Sequence, residues 1–323
     1  LIRIFQEPFL PMSDKIPLLV LHGISQAHQA QIGAHFELIY APTPALRAAA
    51  VQAEGARIRA VMTIGAIGLT AQEIAAMPQL ELVCALGAGY EAIALDAARA
   101  RGIVVATGAG TNDDCVADHA FGLLIGVMRN IRPLDRLCRE GGWRDHIPHP
   151  PNVSGKRIGI LGLGTIGHKI AKRAAGFDMA IGYHNRRPKP EVAHLYFDSL
   201  AGLAQWCDIL VVATPGGAAT RHLVNASVLD ALGPQGFLVN IARGSVVDTE
   251  ALAAALRDGR IAGAGLDVYE SEPKRPDVLM GLDNLLITPH VAGWSPEATQ
   301  ASVNRFIENA RGHFEGRGVV SPV

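Results

Sequence analysis

The run GILGLGTIGHKIAKRAA, residues 159–175, constrains this chain more than any other stretch. Gly162, Gly164 and Gly167 stand in GxGxxG spacing, directly after an aliphatic run and at the opening of a helical one. In a strand–turn–helix unit each glycine has its own task. The first permits a tight turn, the second lets the backbone approach a pyrophosphate, and the third lets helix and strand pack closely. The helix N-terminus adds free N–H groups and a positive dipole end. The spacing alone is a weak signal. In this context it predicts a dinucleotide site built from Gly162, Leu163, Gly164, Thr165, Ile166 and Gly167.

Around this motif, short aliphatic runs alternate with Ala-rich helical ones, the pattern of parallel sheets covered by helices. The first series has strands at 17–23, 36–41, 60–65, 80–86 and 103–108, with helices at 43–52, 70–77 and 91–102. Residues 111–143 read as a long helical stretch, with Asn and Asp caps in front and two glycines behind. The proline-rich HIPHPPN (146–152) reads as a domain seam. A second strand series follows at 156–162, 179–184, 209–214, 236–242, 262–268 and 285–290, and a last helix at 295–316. The expected fold class is α/β: two doubly wound parallel-sheet domains, Rossmann- and flavodoxin-like, with a cleft between them.

Composition narrows the function. With 323 residues, 49% of them hydrophobic and 18% charged, the chain can build two sizeable cores. A net charge of −1 leaves no electrostatic footprint for nucleic acid or an anionic membrane. No uncharged apolar segment reaches the roughly 18 residues of a membrane span, so a soluble, cytoplasmic protein is expected. Cys84, Cys115, Cys138 and Cys207 form no CxxC pair and read as small core residues in a reducing compartment. No metal site is expected. Met12-Ser13-Asp14-Lys15 looks like a native start, which makes residues 1–11 a leader or added segment, set aside from the fold.

A second stretch, GYHNRRPK (182–189), follows the next strand of the dinucleotide unit. His184 lies twenty-two residues after Gly162, where a carboxylate for the adenosine ribose is expected in an NAD site. Without that carboxylate nothing repels a 2′-phosphate. Arg186 and Arg187 can pair with one, and Asn185 can add a hydrogen bond. The reading is therefore NADP(H).

Three further stretches, VNIARGSVVD (239–248), GLDVYESEP (265–273) and ITPHVAGW (287–294), join LGAGYE (86–91) and the glycine loop. In this order, from about Ile16 onward, the chain resembles the D-isomer-specific 2-hydroxyacid dehydrogenase family, nearest to its NADP-dependent glyoxylate/hydroxypyruvate reductases. The resemblance implies a catalytic set of Arg243, Glu272 and His290. The chemistry agrees with it. Reducing a 2-keto acid needs a cation to hold the carboxylate and polarise the carbonyl, and an acid to protonate the oxygen as hydride arrives. Arg243 suits the first task. His290 suits the second, with Glu272 favouring its imidazolium form.

The resemblance further implies a substrate-binding turn at Leu86, Gly87, Ala88 and Gly89, with Trp294 either walling the substrate pocket or packing at a hinge. Thr214, Pro215, Ile241, Ala242 and Gly293 would line the cofactor with Arg243 and His290, and Asp267 would contact the nicotinamide carboxamide, the alternative being a cap or buried network partner. Residues 1–110 and 291–323 would form a discontinuous substrate-binding domain, and 111–290 an NADP-binding Rossmann domain. Residues 111–143 would also build a two-fold homodimer interface. The function expected is NADPH-dependent reduction of a small 2-keto acid to the D-2-hydroxy acid. Two rivals stand beside it: a cofactor-sensing, corepressor-like binding module, and a phosphoglycerate-type dehydrogenase. The second is weakened by a chain that ends right after its last helix.

Overall fold

The computed structural model describes residues 15–145 and 147–323, so the expected leader at 1–11 lies outside the described residues. Two compact units emerge: the chain up to Thr111 together with Pro296–Val323, and Asn112–Ser295.

The first unit contains β1 (Pro17–Val20), α1 (Gln26–Gly33), β2 (Glu37–Tyr40), α2 (Pro44–Glu54), β3 (Ala60–Ile64), α3 (Ala71–Ala76), β4 (Leu82–Leu86), α4 (Leu95–Ala100) and β5 (Val104–Thr107). Its five strands are all parallel, in the order β2-β1-β3-β4-β5. Alternate residues of a strand face opposite sides of the sheet, so a strand buried on both faces reads as one apolar run. In β1, Leu18 and Val20 join one core, while Leu19 and the following Leu21 join the core on the other face. The first of these cores also takes Val303, Phe306 and Ala310 from the last helix of the chain, Pro296–Phe314. Helix starts follow side-chain chemistry. Thr43 caps α2 ahead of Pro44, and Thr70 and Glu73 form a reciprocal capping box on α3.

The second unit contains α5 (Asp113–Met128), α6 (Ile131–Arg139), β6 (Arg157–Leu161), α7 (Thr165–Ala175), β7 (Ala180–His184), β8 (Leu195–Tyr196) and α8 (Leu200–Trp206). It continues with β9 (Ile209–Val212), α9 (Ala226–Leu232), β10 (Phe237–Asn240), α10 (Thr249–Arg257), β11 (Gly263–Leu266) and β12 (Leu285–Ile287). Its seven parallel strands run β12-β11-β10-β9-β6-β7-β8, a doubly wound order that reverses between β6 and β9. Ligands of open α/β sheets bind beyond the carboxyl ends of the strands at such a reversal.

Three expectations need correction. The stretch 111–143 is two helices, because Asn130 sits at φ 51 and breaks the ladder between α5 and α6. Asn tolerates this left-handed conformation, and Pro133 falls in the first turn of α6, where no N–H is required. The helix expected at 91–102 shrinks to α4, because Ile93 is held in a bridge to Leu69. Among the cysteines, Cys84 and Cys207 are buried, but Cys138 is exposed on α6 and is not a core residue. Burial pushes the thiol of Cys207 up to about 12 and raises that of Cys84. Among the described residues, no helix is long and apolar enough to cross a membrane.

Candidate active site

The glycine loop lies between β6 and α7, at the point where strand order reverses. Gly162 sits at φ +97, and a Cβ there would come 2.8 Å from the Thr214 backbone at the end of β9. A Cβ at Gly167 would run into the carbonyl oxygen of Gly162. At Gly164 a Cβ would meet nothing within 4 Å. The first and third glycines thus answer to the fold, while the space at the second is open. Gly164 and Thr165 are exposed at the first turn of α7, and Leu163 is buried beneath them. These residues fit a nicotinamide dinucleotide: its pyrophosphate would lie over Gly164 and the α7 N-terminus. Ile241 and Ala242 are buried beyond β10, Ile166, Thr214 and Gly293 are half-buried, and Pro215 is exposed.

Past β7, Arg186 and Arg187 are exposed and form no ion pair with any described residue. The Oδ1 of Asn185 accepts a 2.7 Å hydrogen bond from the Leu163 N–H, bracing the glycine loop. His184 is similarly occupied, its Nδ1 lying 2.9 Å from the Phe197 carbonyl.

Arg243 follows β10, Glu272 lies on the loop after β11, and His290 closes the turn after β12. Nδ1 of His290 is 2.7 Å from Glu272 Oε2, and Glu272 Oε1 accepts a 2.7 Å bond from the Tyr269 N–H. The hydrogen bond to Glu272 raises the His290 pKa, outweighing burial and the nearby Arg243 charge. Burial works to raise the Glu272 carboxyl, but the bonds from His290 and Tyr269 and the Arg243 charge hold it below its ordinary value. The structure therefore brings Arg243, Glu272 and His290 together. Arg243 packs its stem against Gly216 and donates from Nη1 to the Ala242 carbonyl, 2.6 Å away.

Asp267 is the centre of a buried network. It is 1% exposed, with Oδ1 accepting from Thr288 Oγ1 (2.6 Å) and Val291 N–H (2.9 Å), and Oδ2 from Ala292 N–H (2.8 Å). Its Oδ1 also lies 3.5 Å from His119 Nε2, which is 2.9 Å from Thr288 Oγ1. Both oxygens are engaged on the His290 loop, which ties Asp267 to that turn. The sequence reading missed His119 and Thr288. Thr288 had a signal, lying two positions before His290, whereas His119 on α5 had none.

In the first unit, Gly87 turns the chain after β4 at φ +78, beside half-buried Leu86. The N–H groups of Ala88 and Gly89 bond to no described residue. Trp294 is 77% exposed, so its indole packs little against its own chain.

Residues 121–292 match the family model "D-isomer specific 2-hydroxyacid dehydrogenase, NAD binding domain". A glyoxylate/hydroxypyruvate reductase A of Arabidopsis thaliana is 37% identical over 96% of this chain and 99% of its own length. A hydroxyphenylpyruvate reductase of Plectranthus scutellarioides is 39% identical, with the same coverage of each chain. Among solved structures, an NADPH-dependent glyoxylate/hydroxypyruvate reductase of Sinorhizobium meliloti, in complex with NADP and malonate, superposes with a TM-score of 0.88. It is 36% identical, over 96% of this chain and 97% of that one. The chain belongs to the D-isomer-specific 2-hydroxyacid dehydrogenase family.

Proposed function

We propose that this protein reduces small 2-keto acids, such as glyoxylate or hydroxypyruvate, to D-2-hydroxy acids with NADPH. The carrying observation is the Glu272–His290 pair with Arg243 beside it. The bound cofactor supplies the hydride. Arg243 holds the substrate carboxylate and polarises the keto oxygen. Nδ1 of His290 is engaged by Glu272, which leaves Nε2 to give its proton to that oxygen. The hydrogen bond from the ring to Glu272 favours its charged form, and Glu272 fixes its orientation.

Exposed Arg186 and Arg187 support NADPH over NADH, being free to meet a 2′-phosphate. The unspent N–H groups of Ala88 and Gly89 suit a carboxylate in the same way. Exposed Ile131 and Trp143, at 51% and 69%, support a homodimer built on residues 111–143, which sedimentation would check. Nothing in the site favours the binding-module or phosphoglycerate readings, and the relatives compared above are named as reductases.

The test is a spectrophotometric screen of 2-keto acids with NADPH and NADH. Turnover of glyoxylate or hydroxypyruvate with NADPH is expected. No turnover of any 2-keto acid would overturn the reading. Arg243→Ala should lose at least 100-fold in kcat/KM, on the scale of a removed transition-state electrostatic contact, while NADPH still binds in a fluorescence titration.

A further inference from the structure

The loop that carries Glu272 is fastened at a second point, outside the site described so far. His222, after β9, sits at φ 51, and its N–H donates to the Ser245 carbonyl at 2.8 Å. Two residues on, Val224 N–H donates to the Val246 carbonyl, and Asp248 N–H donates back to the Val224 carbonyl, both at 3.0 Å. Residues 222–224 therefore lie alongside the segment that follows Arg243. From there the His222 ring crosses to Glu270: Nε2 is 2.8 Å from Glu270 Oε1, while Glu270 Oε2 accepts from the Thr249 N–H at 3.3 Å. Beside this contact the two loops touch backbone to backbone, for a Cβ at Gly244 would run into the Tyr269 carbonyl and the Glu270 nitrogen. Glu270 stands two residues before Glu272, and Tyr269 is the donor to Glu272 Oε1.

We propose that His222 and Glu270 are positioning residues: their hydrogen bond clamps the Glu272 loop onto the Arg243 loop and so seats Glu272 against His290. The assignment of a chemical role to that seat rests on the function proposed above; the clamp itself does not. His222 is kept in a left-handed conformation that non-glycine residues seldom adopt, which the surrounding hydrogen bonds must hold in place. The charged groups around the clamp are Arg221, 3.5 Å from Glu270, and Asp248, 3.9 Å from His222 Nδ1. Around His290 they are Glu272, Arg243 and Asp267. Loosening the clamp frees Glu272 to drift from His290, and the ring then loses the bond that favours its charged form.

The experiment follows the His290 ring by NMR through a pH titration, its signal identified by loss in His290→Gln, in wild type, Glu270→Ala, Glu270→Gln and His222→Ala. Glu270→Ala and His222→Ala should each lower the His290 pKa by at least half a unit. Glu270→Gln, which keeps the acceptor and discards the charge, should stay close to wild type. An unchanged His290 pKa in both alanine variants, with only Tm reduced, overturns the proposal. So does a Glu270→Gln shift as large as that of Glu270→Ala, because the effect would then be charge alone. In kcat/KM profiles for 2-keto acid reduction, the alkaline limb should move down in the alanine variants only. Absence of all turnover in wild type would sink the functional reading and leave the NMR outcome to decide the clamp.

Discussion

His290 is held at φ 56, where a side chain other than glycine costs about 1–2 kcal/mol. Its surroundings impose that geometry. Asp267 receives the N–H groups of Val291 and Ala292 and returns its own carbonyl to the His290 N–H at 2.8 Å, so the turn is tied before and after the histidine. The pair with Glu272 carries the proposed chemistry. His290 is raised and Glu272 is lowered, so their mutual stabilisation is greatest between the two shifted values. It fades as pH rises through the His290 pKa and as pH falls through the Glu272 pKa. The proposed mechanism needs the charged ring, so kcat/KM for reduction should fall with rising pH through the His290 value. In Glu272→Gln that alkaline limb should move to lower pH, because the bond that favours the imidazolium is lost. A limb that stays put or moves up would show that Glu272 does not tune His290. At Arg186, replacement by Ala should weaken NADPH relative to NADH by on the order of tenfold, the scale of one charge-assisted bond at an exposed site. An unchanged cofactor ratio would remove Arg186 from the 2′-phosphate site.

At the scale of elements, the glycine loop separates two demands that sequence spacing merges. Gly167→Ala would press a methyl against the Gly162 carbonyl, a backbone atom that cannot swing away. A loss of about 1–3 kcal/mol, read as a lower Tm, is expected. Gly164→Ala meets open space and should leave Tm unchanged. It should still weaken the cofactor in fluorescence titration, because the added methyl fills the approach of the pyrophosphate. If Gly164→Ala binds NADPH normally, the open space is not where the phosphates lie. These elements were legible because a GxGxxG turn is local: strand, loop and helix follow within nineteen residues, 157–175. The trio of Arg243, Glu272 and His290 was legible through motif order, though its contacts are long-range. The break at Asn130 was not legible, since an Asn inside an amphipathic run can be helical or left-handed, and the neighbouring turns decide. Nor were the partners that bury Asp267, since the 288–292 turn lies beside it through the pairing of β11 with β12. The clamp between His222 and Glu270 spans forty-eight positions and follows no periodicity.

At the scale of the whole molecule, each unit has its own sheet, its own cores and, in each, one sealed cysteine. Cys84 lies on β4 at 1% exposed, and Cys207 lies between α8 and β9 at 3%. Neither is drawn into the proposed chemistry. Both are raised by burial, so under native conditions the thiolate that attacks a labelling reagent is scarce as well as inaccessible. Cys84 and Cys207 should therefore stay silent toward a thiol reagent until their surroundings open. Prompt labelling of either would contradict the packing described. The consequence is a pair of native stopwatches, one per unit. Pulse labelling along a denaturant series, read by peptide mass, would time the opening of the first sheet through Cys84 and of the second through Cys207. If the two clocks run together, the molecule unfolds as a single cooperative body. If the Cys207 clock slows when NADPH is added while the Cys84 clock does not, the cofactor's stabilising free energy is confined to the unit that carries the glycine loop.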